Sequence, residues 1–443
     1  MNSKNRILLN IGFCCCLAIA GCEKYLEQPP DNRTDLDSPE KVSQLLATAY
    51  PQANYMAFAE SISDNVDDKG AGVIDNTNVD PYFFRDVEEQ QQDSPEFYWA
   101  ACYSAIAAAN QALEACITAP DPARFYAQKG EALVARAYAH FMLVTFFSKT
   151  YNPTTASSDP GIPYVTEPEK VVFKKYERKT VAFTYDMIEK DLVEGLPLLD
   201  DKSYTVPKYH FTRAAANAFA TRFYLVKREY QKVIDHANQV FPTANVVPML
   251  RPWNTDYLDM TPQELFSTYQ KATQPANLLL TETASWWGRN YYSVRYGMNS
   301  TKRSEIIGQN VTGGQWAFIN QLYSAGTDNY LLPKINEYFA RSSVNANFGV
   351  GYVMVPTLTS EEVLFNRAEA YDLLGNTTSA IADLNVYIST RINNYNPGTH
   401  NLTDSKIRAF YNTSDLQFGL LRTILDFKRA EYVQEGMRWF DLL

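Results

Sequence analysis

Seventeen residues, Glu131 to Phe147, constrain the fold of this chain more than any other stretch. They read Glu-Ala-Leu-Val-Ala-Arg-Ala-Tyr-Ala-His-Phe-Met-Leu-Val-Thr-Phe-Phe, helix formers that are apolar nearly all round. A helix without a polar face must be buried, so other helices have to surround it. The run falls short of the roughly 20 apolar residues a membrane span requires. The expectation is a central helix in a mainly α fold.

A partner helix lies directly upstream. Phe97–Thr118 is a strong helix former throughout, and Ala-Pro-Asp-Pro joins it to the segment Ala123–Phe147. Ser38-Pro39-Glu40 gives an earlier helix its N-cap and first turn. Val181, Tyr185, Ile188, Leu192 and Leu196 recur at helical spacing. Two later segments share one layout. In Arg213–Val240, Tyr224 is followed nine residues on by Val233 and then Ile234; in Ser360–Thr390, Tyr371 is followed nine residues on by Ala380 and then Ile381, an offset of 147. Gly375 stands at the inter-helix turn where the earlier copy has Arg228. A helix, a turn, and a second helix with small facing residues is tetratricopeptide logic. Between Phe241 and Thr357 the texture changes: this segment holds 8 of the 19 Gly and four of the six Trp, with little helical period.

The amino terminus carries a different message. Lys4 and Arg6 precede an apolar run, Ile7–Ala20, that closes on Gly21-Cys22. Positive end, apolar core and small residues are the layout of an export signal, and a cysteine directly after Ala-Gly is the pattern of a bacterial lipoprotein. Cys22 is the expected attachment point, and two or three acyl chains hold a protein at a membrane where one binds only reversibly. The expected organisation is a leader over 1–21, a tether over 22–37, a helical region over 38–240, a loop-rich, aromatic-rich insertion over 241–358, and a C-terminal repeat region over 359–443.

Composition excludes several functions. The net charge of −10 argues against nucleic acid, whose binders carry basic patches. The four His are scattered, and neither His-Glu-x-x-His nor Gly-x-Ser-x-Gly occurs, so no hydrolase is expected. Cys102 and Cys116 sit on one helix, separated by about 21 Å of helical rise, so two free thiols are expected rather than a disulfide. No cofactor is expected.

Seven blocks, in order, resemble the SusD/RagB family of outer-membrane nutrient-binding lipoproteins. They are Cys22-Glu-Lys-Tyr-Leu-Glu-Gln-Pro-Pro30; Trp99–Leu113 with Tyr103, Ile106 and Asn110; Ala132–Phe147 with Gly161-Ile-Pro-Tyr164; Ile188-Glu-Lys-Asp-Leu192; Thr212-Arg-Ala-Ala-Ala216; Arg367-Ala-Glu-Ala370 with Gly375, Ala380 and Asn385; and Lys428–Leu442, which holds Glu435-Gly-Met-Arg-Trp-Phe-Asp-Leu442. The resemblance implies a SusD-like fold and a binding role: capture of a glycan or peptide above a TonB-dependent, SusC-like β-barrel transporter, at the outer membrane, facing the cell surface and held by its lipid anchor, with no catalytic step. Family members continue past the Asp-Leu block into a Pro-rich tail, whereas this sequence stops at Leu443, so a truncated product or a fragment is expected. The alternative reading is a tetratricopeptide-type scaffold lipoprotein that organises envelope partners without binding glycan.

Two segments are candidate ligand sites. In Trp286-Trp287-Gly288-Arg289-Asn290-Tyr291-Tyr292, flat rings suit the C–H faces of sugars, and Arg289 can bond hydroxyls beside Trp286, Trp287, Tyr291 and Tyr292. In Ser61–Gly70 and the following Tyr82, Phe83 and Arg85, the candidate hydroxyl partners are Asp64, Asn65 and Arg85; the resemblance implies that this loop faces the ligand. A calcium loop starting at Asn65 would place Lys69 at position 5 and Asn76 at position 12, so no metal is expected. Trp99 and Trp439 are read as scaffold. Arg367, Glu369, Arg429, Glu431, Glu435 and Arg438 are read as ion pairs inside the repeat region.

Overall fold

The computed structural model describes residues 35–171, 174–324, 326 and 328–443. The leader, Cys22 and most of the tether lie outside them. Ser38–Leu443 forms one compact unit. Among the described residues there are seventeen α-helices and few strands, and no helix is long and apolar enough to cross a membrane.

The N-terminal helices are α1 (Pro39–Leu46), α2 (Met56–Ser61), α3 (Asn76–Tyr82), α4 (Pro95–Thr118), α5 (Tyr126–Phe147) and α6 (Val181–Gly195). Ser38 caps α1 as read, accepting from the Lys41 amide. Helix α5 is the central one: every residue from Gly130 to Thr145 is buried. It lies between α4 and α6. Arg136 and His140, two of its buried polar side chains, are bonded largely from neighbouring motif blocks. Arg136 forms a two-pronged pair with Asp191 of α6, both contacts at 2.7 Å, and donates to Asn110 Oδ1 of α4 at 2.8 Å. Tyr164 donates to the same Asp191 at 2.6 Å. His140 bonds the Arg136 carbonyl through Nδ1 and accepts the Val165 amide at Nε2; burial drives its pKa down to about 3, which keeps the ring neutral. Cys102 and Cys116 are buried free thiols on α4.

Two helix pairs follow the expected layout: α7 (Arg213–Lys227) with α8 (Tyr230–Val240), and, after α9 (Pro262–Tyr269), α10 (Trp287–Asn290) and α11 (Ser300–Ile307), the pair α12 (Ser360–Leu373) with α13 (Thr377–Ile388). Their turns are left-handed at the two matched positions, Arg228 with φ +64° and Gly375 with φ +80°. Glycine adopts that conformation freely; Arg228 carries about 1–2 kcal/mol of strain for it. Helix α8 packs on α12, so the pairs stack. The chain closes with α14 (Pro397–His400), α15 (Asp404–Tyr411), α16 (Leu416–Glu431) and α17 (Arg438–Leu442).

Strands concentrate in the segment between the pairs. They are β1 (Asp67–Asp68), β2 (Asn277–Ala284), β3 (Tyr296–Gly297), β4 (Tyr323–Ser324), β5 (Tyr330–Leu331), β6 (Glu337–Arg341) and β7 (Gly349–Thr359). An antiparallel sheet of order β2-β7-β6 is the largest. Its strand β7 runs straight into α12, capped by the Thr359 hydroxyl.

A buried ion network fastens this sheet-bearing segment to the helices. Arg251 donates to Glu361 of α12 at 2.7 Å and to Asn277 of β2 at 2.6 Å. Arg391 bridges Glu361 at 2.9 Å and Glu431 of α16 at 2.7 Å. All four charged side chains are 0% exposed. Glu435 pairs with Lys334 of the sheet-bearing segment, and Arg438 and Arg429 with Asp64. The charges of the C-terminal block therefore do pair, but Glu435, Arg429 and Arg438 reach outside the repeats, which corrects the reading that keeps them within. Removing one partner of a buried pair strands the other charge, at about 3–5 kcal/mol. Arg391→Met is accordingly expected to lower unfolding free energy by ~3–5 kcal/mol in a urea titration; a loss below ~1 kcal/mol, the range of exposed pairs, would contradict the keystone role.

Candidate functional site

The two candidate segments, more than two hundred residues apart in sequence, lie side by side. Strands β1 and β3 pair in the register Asp67↔Gly297 and Asp68↔Tyr296. The pairing continues irregularly: Lys69 N donates to Arg295 O, and Val73 exchanges bonds with Ser293 and Arg295. Asn78 of α3 clamps Tyr296 from both sides of its backbone, donating to its carbonyl at 2.8 Å and accepting its amide at 3.1 Å. The Tyr82 and Tyr296 rings stack at 4.1 Å, with the Phe83 ring edge-on to Tyr296 at 5.4 Å.

The end of α3 turns Phe83, Phe84 and Arg85 outward. Phe84 has φ +52°, a conformation uncommon for a bulky residue. The turn is closed by bonds from the Phe84 amide to Pro81 and from the Arg85 amide to Asp80. Phe83 and Phe84 are left 46% and 74% exposed, and the Arg85 guanidinium lies 4.7 Å from the Phe83 ring centre. From the second segment Tyr292 is 38% exposed. Lys69 binds the segments together, donating to Tyr292 O and Asn329 Oδ1, each at 2.8 Å. Partial burial brings its pKa down to about 8, against the opposing pull of Asp328. Arg295 grips Asp68 through two 2.8 Å contacts.

The predicted residues divide. Trp287 and Tyr291 are core: they pack with Met56, Val294, Ile335 and Val353, and their polar atoms are used by Gln434 O and Leu332 O. Their faces are closed to any ligand, which corrects the expectation for both. Trp253 and Trp316 are likewise buried. Trp286 is half-buried, and Arg289 is exposed but paired with Glu337 at 3.2 Å. Asn65 is buried, bonded to Glu60 and Arg429, so it too serves the scaffold. Asp64 is held by Arg438 at 2.7 and 2.9 Å; burial opposes ionisation there, but Arg438 and Arg429 outweigh it and keep the carboxyl below its usual range. Tyr292 and Arg85 remain on the surface. Sequence reasoning missed Phe84, Lys69, Arg295 and Tyr296, because two-residue strands leave no periodic signal.

Beneath Trp286 lies a second support. Asp93, buried and at φ +70°, accepts from Ser285 Oγ at 2.5 Å and from the Trp286 amide at 2.8 Å. Burial raises its pKa to about 7. Among the described residues no group of three or more His, Cys, Asp or Glu is placed to hold a metal.

The sequence matches, over residues 24–225, a SusD-like family described as starch-binding and associating with the outer membrane. No curated protein sequence matches it. Among solved structures it is similar to a SusD-like carbohydrate binding protein of Bacteroides vulgatus, with 16% identity, 91% of this chain and 83% of that one covered, and a TM-score of 0.66. A SusD superfamily protein of the same species gives 20% identity, 93% and 88% coverage and a TM-score of 0.66. Another from Bacteroides fragilis gives 18%, 92%, 90% and 0.66.

Asp93 supplies a test of the site's foundation. A carboxyl whose pKa is raised on folding binds its proton more tightly in the native state, so its contribution to stability is full below the ordinary carboxylate range and is lost as pH rises towards 7. Asp93→Asn is expected to flatten the fall of unfolding free energy between about pH 4 and 7; equal slopes for the two proteins would show that Asp93 titrates as an ordinary carboxylate.

Proposed function

We propose that the chain, which matches a SusD-like family over residues 24–225 and shares the fold of SusD superfamily proteins, is a SusD/RagB-type, lipid-anchored outer-membrane protein that captures glycan and delivers it to a SusC-like, TonB-dependent barrel. Cys22 is the proposed anchor. The observation that carries the reading is the β1–β3 pairing and the packing of Phe83 on Tyr296, which bring the segment with exposed Phe83, Phe84 and Arg85 beside the one with exposed Tyr292, on a braced backbone; we take these four as one face. Exposed aromatics in a folded protein are available to stack on apolar C–H faces, while Arg85 and its neighbours bond hydroxyls. Binding, rather than chemistry, is the role proposed: nothing in the face pairs a nucleophile with a base. The scaffold alternative draws support from the burial of Trp253, Trp287, Trp316 and Tyr291, and it forecasts no response to sugar.

Calorimetric titration of the mature protein with malto-oligosaccharides and plant, host and microbial polysaccharides tests this. At least one glycan is expected to bind, and Phe83→Ala combined with Tyr292→Ala is expected to weaken it roughly tenfold or more, as loss of about 1.4 kcal/mol would give. Unaltered affinity in that variant would remove the face from the binding site; absence of any glycan binding would favour the scaffold.

A further inference from the structure

We propose that the molecule carries a second saccharide-binding cleft, built around His210, that uses none of the residues of the first face; the proposal rests on the reading of the protein as a glycan binder. The cleft has a volume of about 390 Å³, within the range of small-molecule sites. One wall is the loop after α1, with Gln52. The other is the turn at Tyr209 and His210. Leu280 to Glu282 of β2 and Met354 of β7 form the floor.

His210 is unusually well fixed for a residue at the edge of a cleft. Its Nδ1 lies 2.7 Å from Glu131 Oε1, a carboxylate on the central helix that is 1% exposed. Tyr50 donates to the same oxygen at 2.7 Å. The Tyr204 ring stacks on the imidazole at 4.5 Å and 5°, and Tyr50 stands edge-on to it. A carboxylate at Nδ1 fixes which nitrogen carries the proton, so Nε2 is presented as an acceptor, and it has no protein partner among the described residues. A mere tie between the turn and α5 needs only the Nδ1 contact. The tie does not account for what surrounds the other nitrogen.

Those surroundings have the chemistry of hydroxyl recognition. Tyr209 lines the cleft and is 40% exposed, offering a ring face. Gln52 is held at the sheet edge, its carbonyl accepting the Ala284 amide at 2.9 Å, which leaves its side-chain amide to the cleft. Glu282 adds an exposed carboxylate. Leu280 and Met354 supply an apolar floor. Glu282 and His210 Nε2 both accept, so the complementary ligand presents several O–H donors around an apolar ring and carries no negative charge: a neutral sugar, held by its hydroxyls and stacked on Tyr209.

Histidine-labelled mature protein provides a local readout, because the sequence has only four His. Long-range proton–nitrogen correlation spectra, with His210→Gln to assign the signal, are recorded during titration with maltotriose, alongside calorimetry. The expected result is a saturable shift of the His210 Nε2 resonance that disappears in Tyr209→Ala and persists in Phe83→Ala/Tyr292→Ala. Calorimetric binding with the His210 signal unmoved would overturn the cleft and leave the first face intact. A His210 shift that vanishes with Phe83 and Tyr292 but survives in Tyr209→Ala would also overturn it. A titration with neither heat nor shift would count against both the cleft and the glycan-binding reading.

Discussion

Two arginines and two glutamates with no exposed surface hold this molecule in one arrangement. Arg251 comes from the sheet-bearing segment, Glu361 from the first turn of α12, Arg391 from just beyond α13 and Glu431 from the last turn of α16. Removing four charges from water is expensive, and only near-complete hydrogen bonding offsets it. The network meets that demand: Arg391 also donates to the Arg251 carbonyl, and Tyr387 to Glu431. Burial works against the ionised Glu431, yet Arg391, Arg251 and Lys334 hold its carboxyl below the usual range. Arg222 and Glu362 repeat the device one residue further along α12. A charge network of this kind tolerates little displacement, so the sheet that leads to the proposed ligand face keeps a fixed position on the paired helices.

The proposed ligand face depends on that rigidity because little of its own structure is regular. Its two segments meet through two-residue strands, the Asn78 clamp and the Lys69 ammonium. The C-terminal block braces the same loop from below. Glu60 accepts the Gln434 and Gly436 amides, and Gly436 suits its place twice over: its φ of +72° strains any other residue, and a Cβ there would crowd Met56 Cα at 3.0 Å. The Glu-Gly-x-Arg-Trp motif is thus a seat for α2 and the loop behind it, with Arg438 gripping Asp64.

The helical half of the fold was legible because burial imposes a period. The all-apolar run became the central helix, the stripe at Val181–Leu192 became the inner face of α6, and the tetratricopeptide offset placed two inter-helix turns at matched positions, which the structure shows to be left-handed. Several blocks of the family resemblance acquire a physical meaning as well, since Asn110, Arg136, Tyr164 and Asp191 converge on one buried cluster. The site was less legible. Trp287 and Tyr291 look from sequence like Trp286 and Tyr292; the i, i+4 spacing puts the first two on the inner side of α10, but a single helical turn is too short for periodicity to reveal which side is buried. Asp64 and Asn65 look like free hydroxyl partners in the sequence because their arginine partners lie more than 360 residues away. Long-range electrostatics of that sort leave no trace in spacing.

Hydrogen exchange, followed by mass spectrometry with and without a saturating bound oligosaccharide, tests most directly whether the two distant segments form one ligand face. The account expects slowed exchange in residues 82–85 and 291–297 together. Protection of only one of these segments, or of neither while glycan is bound, would contradict it.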